Sequence, residues 1–199
     1  MLLRRACGSD RDALYEICVR TAESGGDARG LYCDDDLVPD IYAGPYLELE
    51  PDLAFVVDDG GRAVGYVLGA RDTPAFAAAF RERWLPRVAG RHPEPPSAPS
   101  TPAEAMLASL HDPERMVRPE LAPYPAHLHV DLLPQAQGQG WGRVLIRTLL
   151  AELRGHGIAA AHLTHAPENV NAAAFYARLG FREVPRLPYS LWIPTDARL

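Results

Sequence analysis

A glycine-rich loop stands between a predicted strand and a predicted helix in the last third of the chain. Residues 126–133 alternate polar and apolar side chains as a strand does, and residues 140–154 carry apolar side chains at helical spacing. Between them, Gly138, Gly140 and Gly142 stand at alternate positions. Because glycine lacks a Cβ atom, such a loop exposes backbone N–H groups where the helix begins, and these groups attract an anion. The sequence therefore predicts a phosphate-binding loop.

Two other kinds of phosphate-binding loop do not fit the sequence. The P-loop needs a lysine after its last glycine, whereas all 20 basic residues of this chain are arginines. The dinucleotide-binding spacing Gly-x-Gly-x-x-Gly is absent, and the loop comes late in the chain rather than after the first strand. A tight strand-to-helix turn that holds no ligand remains the alternative.

Strands and helices follow one another along the chain. The patterns predict strands at 2–6, 53–57, 62–70, 126–133, 159–164, 181–184 and 190–193, and helices at about 10–24, 37–43, 75–85, 101–110, 140–154 and 168–179. Thr73 and Pro74 are interpreted as the cap and first residue of the third helix. The expected fold class is an α/β or α+β sheet covered by helices.

The length of 199 residues fits one domain spanning 1–199. Four prolines between residues 90 and 100 predict an exposed, proline-rich insertion over about 90–123. The net charge of −6 and the scattered arginines disfavour a nucleic-acid partner. No apolar run is long enough to cross a bilayer, so we expect a cytoplasmic protein without a membrane partner. Cys7, Cys18 and Cys33 lack disulfide or zinc spacing and are expected to be reduced thiols.

Two motifs together resemble a known family. The first is Gln137-x-x-Gly140-x-Gly142, and the second is Asn169-x-x-Ala172-x-x-Phe175-Tyr176-x-x-Leu179-Gly180-Phe181. They resemble the signatures of GNAT N-acetyltransferases. Segments 15–18, 65–69, 83–86 and 175–181 are further similar to the acetyltransferase-like C-terminal domain of O-GlcNAcase. The resemblance implies the three-layer GNAT fold, with a mixed, mostly antiparallel central sheet flanked by helices.

The resemblance also implies that the chain binds acetyl-CoA. The backbone of Leu132 and Leu133 is then expected to bond the pantetheine arm, and Asn169 to contact the cofactor from the far side. The pyrophosphate is expected at Gln137, Gly138, Gln139, Gly140, Trp141, Gly142 and Arg143. Tyr176 matches a tyrosine beside the thioester sulfur, where it can serve as general acid. The alternative for Tyr176 is a core aromatic residue.

A row of polar residues marks one face of the predicted strand before the glycine loop. His127, His129 and Asp131 alternate with apolar residues there. Asp131 is the first candidate for attracting the substrate ammonium and accepting its proton. His129 can share that role, because an unperturbed imidazole titrates near pH 6.5. Structural roles remain the alternative for both, and the histidines lack a defined metal-ligand spacing, so no metal is expected.

The acceptor site is expected between the first two helices, over 25–36, and around the insertion. Tyr32, Asp34 and Asp35 suit a cationic amine there. The expected function is transfer of an acetyl group from acetyl-CoA to an amine of a small molecule or peptide. The alternative is a non-catalytic acetyl-CoA sensor or protein-interaction module. The resemblance also allows a homodimer that pairs through the last strands.

Overall fold

The computed structural model describes residues 1–32 and 34–199 and contains a seven-stranded sheet. The strands are β1 (Leu2–Arg5), β2 (Ala54–Asp59), β3 (Arg62–Ala70), β4 (Ala126–Leu132), β5 (Ala160–Thr164), β6 (Arg182–Glu183) and β7 (Ser190–Pro194). Their order is β1-β2-β3-β4-β5-β7-β6, and β4 and β5 are parallel while the other neighbours are antiparallel. The predicted mixed, mostly antiparallel sheet is confirmed.

Eight α-helices accompany the sheet in the described residues. They are α1 (Arg11–Val19), α2 (Leu37–Tyr42), α3 (Gly44–Leu49), α4 (Thr73–Ala79), α5 (Leu85–Val88), α6 (Pro102–His111), α7 (Trp141–Gly155) and α8 (Val170–Arg178). The apolar stripe of α7 packs across β2, β3 and β4, and α1 packs against β3 and β4. Leu149 of α7 lies against Gly69, whose missing side chain admits this close approach. The α+β class is therefore confirmed.

The first helix is shorter than its sequence pattern predicts. It ends at Val19 rather than near residue 24. The chain then folds back, and the backbone N–H of Ala28 donates to the Val19 carbonyl over 2.8 Å. Ser24 and Gly25 adopt positive φ angles of 50° and 94° in this return, which a helix cannot contain. The loop that follows α1 is thereby free to reach the end of β4.

The third predicted helix, at 75–85, is also different in the structure. Asp72 rather than Thr73 caps it, because its Oδ1 accepts from the backbone N–H of Ala75 over 2.8 Å. A π-helical turn, Phe80–Trp84, then separates α4 from α5. Pro86 lacks the N–H that would continue regular helical bonding, which accounts for the wider turn before it.

The proline-rich segment is exposed over most of its length but is anchored at its start. His92 is buried, and its Nε2 lies 2.8 Å from Oδ2 of the buried Asp40 in α2. Arg91 contacts the same carboxylate at 2.5 Å, and the indole N–H of Trp84 donates to the Asp40 carbonyl over 2.7 Å. Residues 93–100 are then largely exposed, and α6 begins with the predicted capping box of Thr101 and Glu104.

The parallel strands β4 and β5 separate soon after they meet. Among the described residues they pair at Ala126 with Ala161 and at His127 with His162. Beyond His127, β4 continues to Leu132 and remains paired with β3 on its other side. The edge of β4 that faces β5 therefore keeps unpaired backbone groups, and a gap opens between the two strands.

Candidate functional site

The first cleft, of about 730 Å³, opens at the end of β4, between the starts of α7 and α8. Most residues that the sequence predicts for the cofactor lie in its wall, together with both main catalytic candidates. These are Asp131, Leu132, Gln137, Gly138, Gly140, Trp141, Gly142, Arg143, Asn169 and Tyr176. The structure thus brings together the two sequence motifs, which are about thirty residues apart in the chain.

The glycine loop has the conformation that only glycine adopts easily. Gly138 and Gly140 have φ angles of 72° and 85°, and Gly140 is the N-cap of α7. The backbone N–H groups at the start of α7 lack an intrahelical acceptor and face the cleft mouth with the positive end of the helix dipole. At Gly142 a Cβ atom would lie 2.9 Å from the Phe175 ring, so glycine lets α7 and α8 approach closely.

The two glutamines of the loop hold it in place. Gln137 donates from Nε2 to the Leu132 carbonyl over 2.8 Å, which fastens the loop to the end of β4. Gln139 donates from Nε2 to the Gln135 carbonyl over 2.6 Å and braces the loop from within. Gln137 lines the first cleft, whereas the Gln139 side chain is turned to its own loop.

Backbone groups of β4 alternate between its two edges. The N–H of Leu133 donates to the Val64 carbonyl over 2.9 Å, so it is already used by the sheet. Because backbone directions alternate along a strand, Val130 and Leu132 present their N–H and C=O groups to the gap, where the Leu132 carbonyl accepts from Gln137. Val130 was not singled out by the sequence, since its apolar side chain gives no signal of what its backbone does.

Asn169 caps α8 and lines the first cleft. Its Oδ1 accepts from the backbone N–H of Ala172 over 3.0 Å. Its amide nitrogen, Nδ2, points toward Gly25, where a Cβ atom would lie 3.8 Å away. The loop Ser24, Gly25 and Gly26 therefore forms part of the first cleft, whereas the sequence places residue 25 at the start of the acceptor segment.

Asp131 is the acidic group in the wall of the first cleft. It is half-buried and lies opposite Tyr66 in the β3–β4 register. Burial raises the pKa of Asp131 to about 6, and the Tyr66 and Thr21 side chains offset part of that rise. The buried Tyr66 hydroxyl has no hydrogen-bond partner of normal geometry among the described residues. Asp131 is thus ionised at neutral pH and a stronger base than an ordinary aspartate.

Tyr176 is buried on α8 with part of its surface in the first cleft. Its ring centroid lies 5.1 Å from that of Phe181 and 5.2 Å from that of Phe175. Burial raises the pKa of Tyr176 above its usual value, and the charge of Asp131 adds to the rise. The phenol therefore keeps its proton at neutral pH, as a proton donor must.

His129 lies in a second cleft, of about 490 Å³, in the gap between β4 and β5. Its Nε2 is 3.0 Å from the Tyr46 hydroxyl, which also lies 2.8 Å from Nε2 of His127. Burial, with a smaller contribution from the charge of Arg115, lowers the pKa of His129 to about 4. The imidazole is therefore neutral at pH 7 and a weaker base than its sequence suggests.

The predicted acceptor residues lie apart from both clefts. Asp34 caps the turn before α2, and its Oδ2 is 3.8 Å from Nδ1 of His92. Asp35 accepts from the backbone N–H of Gly30 over 2.8 Å. Tyr32 packs against the core, where burial raises its pKa. Residues of the second cleft that the sequence did not predict include Tyr42, Arg115 and Met116, which carry no motif or periodic signal.

The described residues contain neither a cluster of metal ligands nor a membrane-spanning helix. Over 1–32 and 34–199, no group of three or more His, Cys, Asp or Glu side chains is arranged to hold a metal ion. In the same part of the chain, every helix is too short or too polar to cross a bilayer. Cys7 and Cys18 are free thiols, and Cys33 lies outside the described residues.

Solved structures that resemble this chain cover almost all of it. The structure of SsHAT has 51% sequence identity to this chain, covers 98% of both chains and superposes with a TM-score of 0.94. A Salmonella typhimurium protein, yncA, was solved with its cofactor acetyl-CoA. It is 17% identical over 100% of this chain and 96% of its own, with a TM-score of 0.55, so it shares the fold.

Comparison of sequences agrees with the structural result. Residues 105–181 match the acetyltransferase (GNAT) family. Protein O-GlcNAcase of Rattus norvegicus is 26% identical over 181 residues, which cover 89% of this chain and 20% of the rat protein. The same figures hold for the Mus musculus protein, so the chain spans about a fifth of the length of these curated relatives. The chain belongs to the GNAT family of acetyltransferases, as the resemblance of its two motifs implies.

Proposed function

We propose that this protein transfers an acetyl group from acetyl-CoA to the amine of an acceptor. One observation carries the proposal: a single cleft combines an anion-attracting helix start, an unpaired strand edge, a basic carboxylate and a protonated phenol. A helix start alone indicates an anion, and a carboxylate alone indicates only a base. Their combination fits a long ligand with phosphates at one end and a reactive group at the other.

The residues of the first cleft fit the parts of coenzyme A. The N–H groups that follow Gly140 can hold the pyrophosphate, and Arg143 and Arg178 supply positive charge in the same wall. The N–H and C=O of Val130 and the N–H of Leu132, on the edge of β4 that β5 leaves, can bond the amides of the pantetheine arm, whereas the Leu132 carbonyl already accepts from Gln137. Such an arm, lying along β4, would lead from the glycine loop toward Asp131 and Tyr176.

The proposed chemistry uses two residues as proton carriers. When bound, acetyl-CoA supplies a thioester, whose acyl carbon bonds to the amine nitrogen as its bond to sulfur breaks. Asp131 attracts the acceptor ammonium and takes the proton that must leave nitrogen before it can react. Tyr176 donates its proton to the departing sulfur and regains one from solvent. Nitrogen loses two protons in total, which balance the proton on sulfur and the one released to water.

The test is to incubate the purified protein with acetyl-CoA and a panel of amines while following release of free thiol. Mass spectrometry of the amine reports the acetylated product, and calorimetry reports the affinity for acetyl-CoA separately. We expect micromolar binding, together with acetylation of at least one amine. Binding without turnover would favour the sensor or interaction function, and the absence of binding to any coenzyme A derivative would end the proposal.

A further inference from the structure

The second cleft is lined by positively charged side chains. Its charged side chains are Arg115 and Arg118, and no carboxylate lines it among the described residues. Four histidines line it, and three of them, His127, His129 and His162, lie at the start of the gap between β4 and β5. Burial lowers the pKa of all three imidazoles, so they add no charge at neutral pH. The cleft is therefore positive through its arginines.

Arg115 is the arginine whose charge is uncompensated. Within the described residues no carboxylate lies within ion-pair distance of its guanidinium. Its polar contacts are the Asp112 carbonyl at 3.3 Å and the Tyr42 hydroxyl at 3.5 Å, and its Cζ atom lies 6.0 Å from the Tyr42 ring centroid. Arg118 differs, because it is exposed and lies 3.9 Å from Glu120. A half-buried, unpaired guanidinium in a cleft is a ready partner for a carboxylate or phosphate.

The second cleft adjoins the proposed reaction centre. His129 lines the second cleft and Asp131 the first, and they stand two residues apart on the same face of β4. On the β5 side, the ring centroid of His165 in the second cleft lies 6.5 Å from that of Tyr176 in the first. A molecule that occupies the second cleft can therefore present an amine between Asp131 and Tyr176.

We propose that the second cleft binds the acceptor by an acidic group held on Arg115, so that the acceptors are amines that also carry a carboxylate or phosphate. This inference rests on the proposed acetyl transfer and adds the class of acceptor to it. Asp131 holds the ammonium end and Arg115 the anionic end, which fixes the direction in which the acceptor lies. A polycationic acceptor is disfavoured, because its further charges would face Arg115.

The experiment compares amine acceptors that differ only in the group at the end opposite the amine. Amino carboxylates and aminoalkyl phosphates of increasing chain length are assayed beside alkylamines and diamines of the same lengths. We expect kcat/KM to be at least about tenfold higher for an acidic acceptor of suitable length than for its alkylamine, since a charge-assisted bond is gained. The carboxylate and phosphate arms show which anion is preferred.

Variants assign the effect to one residue. Arg115→Gln should raise KM for acidic acceptors, so that their preference over alkylamines is lost, while the affinity for acetyl-CoA stays constant. Arg115→Lys should restore part of the preference, because it keeps the charge without the planar fork. Arg154→Gln, at an exposed position in the last turn of α7, is the matched control and should behave as the wild type.

The outcomes separate this inference from the proposed function. Turnover of alkylamines and diamines as fast as acidic amines would overturn the inference and leave acetyl transfer standing. If no amine is acetylated, acetyl transfer fails, and calorimetry then decides the inference alone. With coenzyme A present, tighter binding of the acidic amine by wild type than by Arg115→Gln supports it, and equal binding overturns it.

Discussion

The buried position of Asp131 disfavours its ionised form and makes that form a stronger base. Burial raises its pKa to about 6, so its carboxylate is mostly protonated below that pH and ionised above it. Since only the ionised form accepts a proton, kcat should rise with pH through about 6 and then level off. Asp131→Asn should lower kcat at least about 100-fold and abolish this limb of the pH profile. A limb that persists in the variant would assign the base elsewhere.

The same raised pKa predicts a stability change of opposite sign. The folded pKa of about 6 lies above the unfolded value near 3.9, so the folded state binds more protons in that window and loses stability as pH rises through it. Asn carries no charge and escapes this loss. Asp131→Asn should therefore raise the free energy of unfolding at pH 7 by up to about 3 kcal/mol and leave it unchanged below pH 4. Urea titrations at both pH values measure this, with exposed Asp59→Asn as control.

Tyr176 is expected to act on turnover rather than on binding. Tyr176→Phe removes the hydroxyl that donates to the departing sulfur but keeps the ring packed against Phe175 and Phe181. The change should lower kcat about 100-fold while the affinity for acetyl-CoA stays constant. Tyr124→Phe is a suitable control, because Tyr124 stacks on Trp192 outside both clefts. Unchanged turnover in Tyr176→Phe would show that the ring serves packing alone.

The start of α7 depends on its glycines. Gly140 caps the helix with a φ of 85°, and an L-residue there costs about 1–2 kcal/mol. The exposed loop of Gly140→Ala would relax and would have to return to its former shape on binding. We expect the affinity for acetyl-CoA to fall about 5- to 30-fold by calorimetry. Gly155→Ala, at the other end of α7 with ordinary φ and open space, should bind as the wild type does.

Elements with a local cause could be predicted from the sequence. The hairpin of β2 and β3, the capping box before α6 and the glycine start of α7 all follow from residues within a few positions of each other. Elements that depend on distant partners were missed or misplaced. The end of α1 is set by a return of the chain to Val19, and Thr73 contacts His127 rather than capping its own helix. Local patterns carry no information on such contacts.

The two clefts likewise differ in how far local sequence patterns predict their residues. Many residues of the first cleft belong to two contiguous motifs, which the sequence predicted, whereas Ser24, Gly25 and Gly26 come from the return of the chain after α1. The second cleft collects Tyr42 from α2, Arg115 from the insertion and His162 from β5, which meet only after folding. Asp34 and Asp35 looked suited to a cationic acceptor, yet they serve backbone N–H groups near α2. Charge in a sequence does not tell which surface it will face.

Asp40 joins parts of the molecule that are far apart in sequence. Its buried carboxylate contacts Tyr15, Arg91 and His92, so it ties α1 and the start of the proline-rich segment to α2. Asp40→Asn removes the charge that the buried His92 and the exposed Arg91 contact, and should lower the free energy of unfolding by about 1–3 kcal/mol. Asp52→Asn, which breaks an exposed pair with Arg71, should change it by less than about 1 kcal/mol. Guanidinium titrations monitored by tryptophan fluorescence test both variants; similar values would assign Asp40 no anchoring role.

The early separation of β4 and β5 has a mechanical consequence. The sheet consists of two halves, β1–β4 and β5–β7. In the described residues, two residue pairs between β4 and β5 join these halves. An extended ligand that forms hydrogen bonds with the backbone of β4 inside the gap would continue this pairing, as an additional strand does. Occupancy would then add backbone hydrogen bonds at the junction between the halves, with Asp131 on one side of it and Tyr176 on the other.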